Sequence, residues 1–593
     1  MVNILTMSFL FDQPINGKVY VYRIENYWDK EGKVQKQRRE YVGRRDEKTG
    51  DIIPKKIKKN PIHSLSDGSD DKAVNVSDMG PIWLLKHISD RIGLPEVLHE
   101  VFPELAQDFL GLAFYQTCES KPLYLYQDWL STVSLNGYAF SSQEISDLCE
   151  ALGSQEGKII QFFESWIRRQ LNPAISSLAQ SSPPNVPSLY LDITSLSTFG
   201  KHNDFAEWGY NRDKEPLPQV NLGMVIHEAT NLPLVYRMLP GSIPDVSSLK
   251  TTLAFLKDMG TTPTRFVLDR GFYSQRNLLE MKQANISFLI PVTVSSRLAS
   301  SLFAQAGENL LSPSHAFSFQ HSVIFHQMIP LELSEESESI QGMEQEEVVV
   351  TTNQQASSNQ TDSIQTKNTK RGRGKPPSEQ FLPPVSCIAH LYFDETRRAQ
   401  EVESFYQQLI RVEDIIHRNL FRSLSAVKQE IEEMAPRWSK FWDIQWDCQD
   451  HSVKLTRKDQ TIHYRTHHFG KMVLLSSAPY VDKEEALLIY RRRDAIEKLF
   501  DTQKNELNQS RIRVHTRTSM MGRLFLSFLA IILYCALLQQ LKETKLHKKF
   551  TVPEILMILR SIRKITRKDG SCYYTEITKK QRLILDAFEI PYP

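Results

Sequence analysis

Hydrophobic and polar positions change their period along the chain, and the change marks the predicted elements. Between residues 185 and 292, short continuous apolar runs bounded by turn residues predict buried strands. Longer segments with apolar positions three or four residues apart predict helices between them. The predicted order is three strands, a helix, a strand, a helix and a strand. Residues 81–184 show only the helical period and are predicted to be all helical.

Three consecutive strands followed by alternating helices and strands is the element order of the RNase H-like fold. We therefore expect an α/β protein with an RNase H-like mixed-sheet core. Its first part is predicted at residues 185–292 and its second part at residues 471–541. Residues 293–470 break the order, and the polar residues 333–385 within them are too poor in apolar side chains to order themselves.

The ends of the chain are more basic than its middle. Residues 1–60 hold 14 Lys or Arg against 8 Asp or Glu and alternate in the manner of a β-hairpin, so this region is a candidate for DNA binding. An ordinary hairpin with aromatic cross-strand pairs explains the same pattern. Residues 61–80 are predicted to be a linker, and residues 542–593 a basic helical region.

Composition narrows the class of protein without deciding it. The chain has 593 residues, 41% hydrophobic and 24% charged, which is typical of a globular protein of several domains. The six cysteines are scattered, without the spacing of a zinc module, which favours a reducing compartment. The amino terminus is a poor secretory signal. The apolar run Leu524–Leu538 is shorter than the ~20 residues of a membrane span and is predicted to be a buried core helix.

Candidate chemistry lies in three carboxylates that are distant in sequence. Asp192 and Asp269 each follow an apolar strand, where a charged group needs a compensating cation or hydrogen bonds. Glu497 lies in a predicted helix, with Tyr490 and Arg493 before it on the same face. Lys504 lies further along that face. Capping or turn roles for the aspartates, and a solvated helical face for the rest, are the alternatives at this point.

The spacing Tyr490-x2-Arg493-x3-Glu497-x6-Lys504 resembles the C-terminal motif of DDE-type transposases of the insertion sequence four superfamily, in the long subgroup with an N-terminal extension. The segment Asp269–Phe272 resembles the family's context for its second aspartate. The resemblance implies that Asp192, Asp269 and Glu497 are the catalytic residues and the ligands of two Mg²⁺ ions, for which Mn²⁺ substitutes. It implies that Tyr490, Arg493 and Lys504 bind DNA. It also implies that residues 293–470 are a largely β insertion.

The same resemblance implies the reaction and the partners. A water would first cut at the end of a mobile element, and the 3′-hydroxyl set free would then join to target DNA. The expected partners are the terminal inverted repeats, target DNA and a second copy of the chain, in the cytoplasm and associated with the nucleoid, without a membrane.

In relatives that form a DNA hairpin, a base is flipped out onto an aromatic side chain. Trp438, Trp442 and Trp446 are candidates here, although their spacing of four is more often that of a core stripe. Two alternatives to a transposase remain at this stage: an RNase H-like nuclease without strand transfer, and a non-catalytic DNA-binding protein.

Overall fold

An antiparallel four-stranded sheet occupies the described part of residues 1–72, which form one of two compact units. Its central strands pair as the predicted hairpin. The strands are β1 (Ser8–Ile15), β2 (Lys18–Asp29), β3 (Val34–Arg45) and β4 (Ile52–Pro54).

The structure is a computed structural model. It describes residues 8–15, 18–29, 34–45, 52–54, 75–171, 188–200, 203–213, 215–243, 245–259, 265–320, 322–333, 384–419, 421, 423–447, 452–477, 481–509, 511–567 and 571–592.

Helices fill the described part of the region predicted to be helical, within the second unit, residues 73–593. The fifth helix begins with a capping box, in which the Ser141 hydroxyl and the Glu144 carboxylate each bond to the other residue's backbone N–H. The predicted linker ends earlier than expected, because β5 (Asn75–Asp78) already pairs with another strand. The helices are α1 (Gly80–Ile92), α2 (Leu94–Val101), α3 (Ala106–Glu119), α4 (Tyr126–Thr132), α5 (Ser142–Gly153) and α6 (Glu156–Leu171).

The RNase H-like fold is confirmed by the order of the strands in the central sheet. β6 pairs antiparallel with β7 on one side and parallel with β9 on the other, and β10 continues parallel to β9. These strands are buried on both faces, which explains their continuous apolar runs. The elements are β6 (Ser188–Thr198), β7 (Gln219–His227), β8 (Pro233–Pro240), α7 (Asp245–Asp258), β9 (Arg265–Leu268), α8 (Gln275–Gln283) and β10 (Ser287–Val292).

The insertion lengthens the same sheet. Its strands β11, β12 and β13 join β10 through β16, and the short strand Arg511–Ile512 pairs with β6, so the sheet has ten strands among the described residues. A second hydrophobic core, which includes Phe405 and Leu409, packs the insertion's helices against a β-hairpin. The elements are α9 (Arg297–Ala306), β11 (Ala316–Phe319), β12 (Ser322–Leu333), β13 (Val385–Asp394), α10 (Glu395–Arg418), α11 (Leu424–Met434), β14 (Trp442–Trp446), β15 (Val453–Arg457), α12 (Asp459–Thr466) and β16 (Lys471–Ser476).

The segment predicted to be disordered is shorter than expected. Leu333 and Val385, its two ends, are buried and pair with each other across β12 and β13. Residues 334–383 lie outside the described residues, so disorder there stays a prediction.

The chain then returns to the core and ends in a small mixed region. Strands as well as helices form there: β18 pairs with both β5 and β19, so the predicted helical C-terminal region is only partly helical. The elements are α13 (Lys483–Arg492), α14 (Asp494–Asp501), β17 (Arg511–Ile512), α15 (Arg517–Glu543), α16 (Val552–Leu559), β18 (Arg563–Thr566), β19 (Cys572–Tyr574) and α17 (Lys579–Ala587).

Helix α15 contains the apolar run that the sequence predicts to be a core helix. It has the length and hydropathy of a membrane span, but 89% of its apolar window is buried by the rest of the protein. Its neighbours include α3 and α5. The close approach to α5 depends on Gly522, where an added Cβ would lie 2.1 Å from the Cys149 carbonyl oxygen. The helix is therefore a packed core element, as predicted.

Replacing Gly522 by alanine should destabilise the protein, because the new methyl group meets backbone that cannot turn aside. We expect the free energy of unfolding to fall by about 1–3 kcal/mol. The control is Gly157→Ala in the first turn of α6, where a Cβ meets nothing within 4 Å. That change should leave the protein equally stable or more stable, by up to about 1 kcal/mol. Urea unfolding measures both, and equal shifts would contradict the packing described for α15.

Candidate active site

Asp192 and Asp269 lie side by side, Asp192 within strand β6 and Asp269 directly after the carboxyl end of the parallel strand β9. The last residue pair between β6 and β9 is Leu191 with Leu268, and the two aspartates come next on their strands. Neighbouring strands are about 4.8 Å apart, so the two backbones hold the carboxylates close together. The sequence indicated that Asp192 lies near the end of its strand, but β6 continues to Thr198. Asp269 does not cap the short turn that follows it.

Asp192 is the most buried of the three carboxylates, with 15% of its side chain exposed. Burial raises its pKa to about 6, although Arg493 and a hydrogen bond from the Ile193 backbone N–H act to lower the pKa and Asp269 raises it further. The Ile193 N–H donates to Asp192 Oδ1 at 2.7 Å. Close to neutral pH, such a carboxyl group can lose its proton, and another cation can then bind in the proton's place.

The sequence predicted one continuous helix from Tyr490 to Lys504, and this prediction is wrong. α13 ends at Arg492 and α14 begins at Asp494, and at the break the Arg493 N–H donates to the Tyr490 carbonyl oxygen, three residues back. A tighter bond of this kind interrupts the regular ladder. Beyond α14, residues Thr502–Glu506 form a π-helical turn. Glu497 is in the first turn of α14, so its angular relation to Lys504 differs from that of a regular helix.

Arg493 brings the three carboxylates together. Its Nη2 lies 2.7 Å from Glu497 Oε1 and 3.5 Å from Asp269 Oδ1, and its Nη1 lies 3.4 Å from Asp192 Oδ2. Oxygens that contact one guanidinium at such distances are well within ~10 Å of each other. The sequence prediction that these three distant residues converge is therefore met by the geometry.

The guanidinium of Arg493 is buried, with 10% of the side chain exposed. Burial alone would lower its pKa, but the fields of Asp269, Tyr490, Asp192 and Glu497 together raise the pKa above its usual value. Tyr490 packs under the guanidinium, with its ring centroid 5.8 Å from Arg493 Cζ. Burial raises the pKa of Tyr490, so its phenol stays neutral. The guanidinium is the counter-ion that lets three acidic side chains share this site.

The three side chains offer the type of donor atom that binds a hard divalent cation. All three are carboxylate oxygens, the ligands that Mg²⁺ and Mn²⁺ prefer. Their combined negative charge exceeds the single positive charge of Arg493. Among the described residues, however, no three acidic, His or Cys side chains lie close enough to ligate one ion as they stand. Arg493 lies among these oxygens, and Glu497, with 59% of its side chain exposed, is the most accessible of the three.

Lys504 does not join the carboxylates. Its Nζ contacts both carboxylate oxygens of Asp213, at 2.6 and 2.8 Å, in the connection between β6 and β7. The two residues are 291 positions apart, so no local pattern announces the pair. The next residue before Asp213, Arg212, donates to Ser195 Oγ and helps to lower the pKa of Asp192. Both Asp213 and Arg212 are site residues that the sequence analysis missed.

The three tryptophans do not form a helical stripe. Trp442 and Trp446 stand at the two ends of strand β14, whereas Trp438 precedes a short 3-10 turn. Trp442 is buried, and its indole N–H donates to Glu413. The Trp446 indole N–H donates to the Phe421 carbonyl oxygen. The expectation of helical spacing is therefore wrong, and Trp442 is a core residue.

Trp438 lines a cavity of about 570 Å³ whose wall also includes Arg270, the residue after Asp269. Aromatic and basic side chains share its wall. They include Phe405, Arg397, Arg465 and Lys471. His468 also lines the cavity, and its buried Nε2 has no hydrogen-bond partner. The cavity therefore offers a ring face, several cations and an unused polar atom.

Residues 188–426 match the family model described as the transposase DDE domain. The matched segment contains Asp192 and Asp269 and ends before α14, so Glu497 lies outside it. The match supports a DDE transposase family for this part of the chain.

Among solved structures, the chain is similar to one described as a piggyBac transposase synaptic complex with hairpin DNA, determined by cryo-electron microscopy. The sequence identity is 10%, the similarity covers 81% of this chain and 79% of that one, and the TM-score is 0.30. A TM-score so low supports no argument about fold or function. Curated proteins gave no significant match.

The burial of Asp192 predicts a pH-dependent penalty in the metal-free protein. Its folded pKa, about 6, lies above the ordinary 3.8, so the folded state holds the proton more tightly and loses stability as pH rises through that window. Asp192→Asn removes this loss. Between pH 4 and pH 8 the free energy of unfolding of the variant should gain on the wild type by on the order of 2 kcal/mol.

Urea unfolding in a chelator at pH 4, 6 and 8 measures the difference. Glu308→Gln, at an exposed carboxylate in the insertion, is the matched control and should show no such trend. A difference between Asp192→Asn and the wild type that does not vary with pH would refute the assigned cause of the shift.

Proposed function

We propose that the protein is a DNA transposase of a bacterial-type insertion sequence. It would cleave DNA at the ends of its element and join the 3′-hydroxyl ends to target DNA. The observation that carries the proposal is the convergence of Asp192, Asp269 and Glu497 on one guanidinium, from positions far apart in sequence. The match of residues 188–426 to the transposase DDE domain supports it independently of that geometry.

The carboxylates would hold divalent metal ions, Mg²⁺ by preference and Mn²⁺ as a substitute. When bound, such ions neutralise the phosphoryl oxygens, activate the attacking oxygen and stabilise the leaving oxygen. Asp192, Asp269 and Glu497 would be the ligands of these ions. The rigid parallel pair of β6 and β9 supplies the two fixed ligands, and the more exposed Glu497 supplies the adjustable one.

Arg493 and Tyr490 would position the DNA strand. A phosphate group carries the same kind of oxygen as the carboxylates, and a planar guanidinium binds such groups with two parallel hydrogen bonds. If Arg493 turned from the carboxylates to a phosphate of the cleaved strand, it would leave the oxygens of Asp192 and Asp269 to the metal ions. Tyr490 packs against Arg493 and would limit the directions in which it can turn.

The cavity beside Arg270 suits an unpaired base next to the cleavage point. Trp438 offers a ring for stacking, and the surrounding arginines and Lys471 offer charge for the backbone. Of the three predicted tryptophans, Trp438 is therefore the one that we propose for this role. The basic hairpin of residues 1–60 is proposed as a further DNA contact, and a homodimer that holds both inverted repeats is proposed as the active species, in the cytoplasm with the nucleoid.

Cleavage and joining test the function directly. Labelled fragments of the DNA that flanks the reading frame are incubated with the protein, a plasmid target and Mg²⁺. The wild type should cut the label and join it to the plasmid, and a chelator should stop both. Asp192→Asn should lose activity by at least about 100-fold, because it removes a ligand itself. Its DNA affinity should stay within about twofold of the wild type, because the lost ligand contacts the metal ions.

The same assay separates the alternatives. Cleavage without joined plasmid would indicate a nuclease, and binding without Mg²⁺-dependent cleavage would indicate a DNA-binding protein. Glu308→Gln serves as the control for loss of a single carboxylate and should keep full activity. Equal activity in the wild type and in Asp192→Asn would exclude the proposed site.

Lys504 is proposed to hold a phosphate of the element end in place of its present partner, Asp213. Lys504→Ala should then weaken binding of the flanking DNA and reduce the slope of log K against log salt by about 0.9, the effect of one lost phosphate contact. Mn²⁺ affinity, followed by electron paramagnetic resonance, should be unchanged, because Lys504 contacts no carboxylate of the triad.

Asp213→Asn distinguishes this role from a structural one. It frees Lys504 without removing its charge, so DNA binding should be equal or tighter. If Lys504 only anchored the loop, both substitutions would weaken binding alike. Lys498→Ala, at an exposed lysine next to Glu497, is the matched control and should change binding less than Lys504→Ala.

A further inference from the structure

Two large aromatic side chains project into solvent from the connection between β6 and β7, residues 199–218, which we call the β6–β7 loop. Tyr210 is 81% exposed and Trp208 is 68% exposed, the two highest values among the aromatic side chains that the structure describes. Phe199, at the start of the loop, is 57% exposed. Exposed apolar area of this size in one place commonly marks a binding surface.

The loop that carries these side chains is held firmly. Glu207 and Gln219 exchange two backbone hydrogen bonds, of 3.0 and 2.9 Å. The Gln219 side-chain amide donates to the Tyr210 carbonyl oxygen at 3.0 Å. Gly209, between the two aromatic residues, packs so closely that an added Cβ would lie 2.0 Å from the Gly241 carbonyl oxygen. The backbone therefore presents Trp208 and Tyr210 in fixed positions instead of letting them collapse onto the core.

The loop is also tied to the candidate active site. Arg212, two residues after Tyr210, donates to Ser195 Oγ on the strand that carries Asp192, and its charge reaches that carboxylate. Asp213 binds Lys504. The exposed aromatic side chains therefore belong to a segment fixed between the metal-ligand strand and the last residue of the Tyr-Arg-Glu-Lys motif.

Cations surround the base of the loop and compensate its acidic residues. Arg511 binds Glu215 and lies over the Phe199 ring, with 5.7 Å from Cζ to the ring centroid. Arg517 lies over the Phe205 ring at 4.7 Å. Aromatic rings beside arginines are the composition of surfaces that stack bases and attract the phosphates between them.

We propose that Trp208 and Tyr210 form a stacking platform for unpaired bases of the DNA strand that enters the active site. The inference rests on the proposed function. Bases inside a duplex have both faces covered by their neighbours, so only unpaired or terminal bases can stack on a protein ring. This platform lies on the β6–β7 loop, and the cavity at Trp438 is lined by other residues, so the two contacts hold different nucleotides.

Binding of a single strand tests the platform apart from catalysis. The full-length protein is titrated, in a chelator, against a fluorescein-labelled oligonucleotide of twenty thymidines and against a labelled duplex of the same length. The double variant Trp208→Ala/Tyr210→Ala should bind the single strand on the order of tenfold more weakly, and the duplex within about twofold of the wild type. Because stacking releases few counter-ions, the ratio of the two single-strand affinities should stay nearly constant from 50 to 200 mM salt.

Two further variants and two checks on the protein make the result decisive. Trp208→Phe/Tyr210→Phe keeps two rings and should restore most of the single-strand affinity. Tyr124→Ala, at an aromatic residue 58% exposed outside the loop, should have no effect. Thermal unfolding checks that the variants are folded, and sedimentation checks whether the double variant changes from dimer to monomer.

The outcomes separate this inference from the function beneath it. Unchanged single-strand binding by a folded double variant overturns the platform but leaves the cleavage assay untouched. Loss of dimer with unchanged single-strand binding shows that a second copy of the chain covers the loop, and also overturns it. A wild type that binds neither oligonucleotide refutes the proposed function as well.

Discussion

The contact between the buried guanidinium of Arg493 and three carboxylates is the constraint on which the site depends. Like charges repel, most strongly at the buried Asp192, and the guanidinium offsets the repulsion among Asp192, Asp269 and Glu497. Arg493 lies at the break between α13 and α14, and from there its guanidinium contacts all three carboxylates.

The central sheet positions the two aspartates of the site. β6 and β9 are parallel, and β9 ends level with Leu191, which places Asp269 beside Asp192. β6 then continues for six residues past Asp192 and leads into the β6–β7 loop. One long strand therefore carries the most buried of the three carboxylates and leads to the two aromatic side chains that are most exposed among the described residues. The insertion continues the sheet on its far side through β16, and Lys471, at the start of that strand, lines the cavity at Trp438.

The parts of the fold that sequence predicted are those in which local pattern and burial agree. The strands before Asp192 and Asp269 are buried on both faces, so their continuous apolar runs mark them clearly. No proline or glycine marks the break at Arg493, and tertiary contacts decide it. Trp438, Trp442 and Trp446 share a helical spacing, yet Trp442 and Trp446 belong to a strand whose inner face packs on α11. The pair of Lys504 with Asp213 closes across 291 positions, for which a single sequence carries no signal.

The same contacts explain why the charged side chains of this site can change partners, and why their arrangement does not maximise the stability of the protein. Asp192 is held where its ionised form is disfavoured, and its pKa is raised to about 6. Each of the two cations forms an ion pair within the protein. Arg493 pairs with Glu497, and Lys504 pairs with Asp213. In the proposed reaction, metal ions would replace the guanidinium among the carboxylates, and phosphates would replace the carboxylates around the cations. Binding of DNA with metal would then rearrange existing ion pairs instead of creating charges in a buried place, and the two ligands would favour each other's binding.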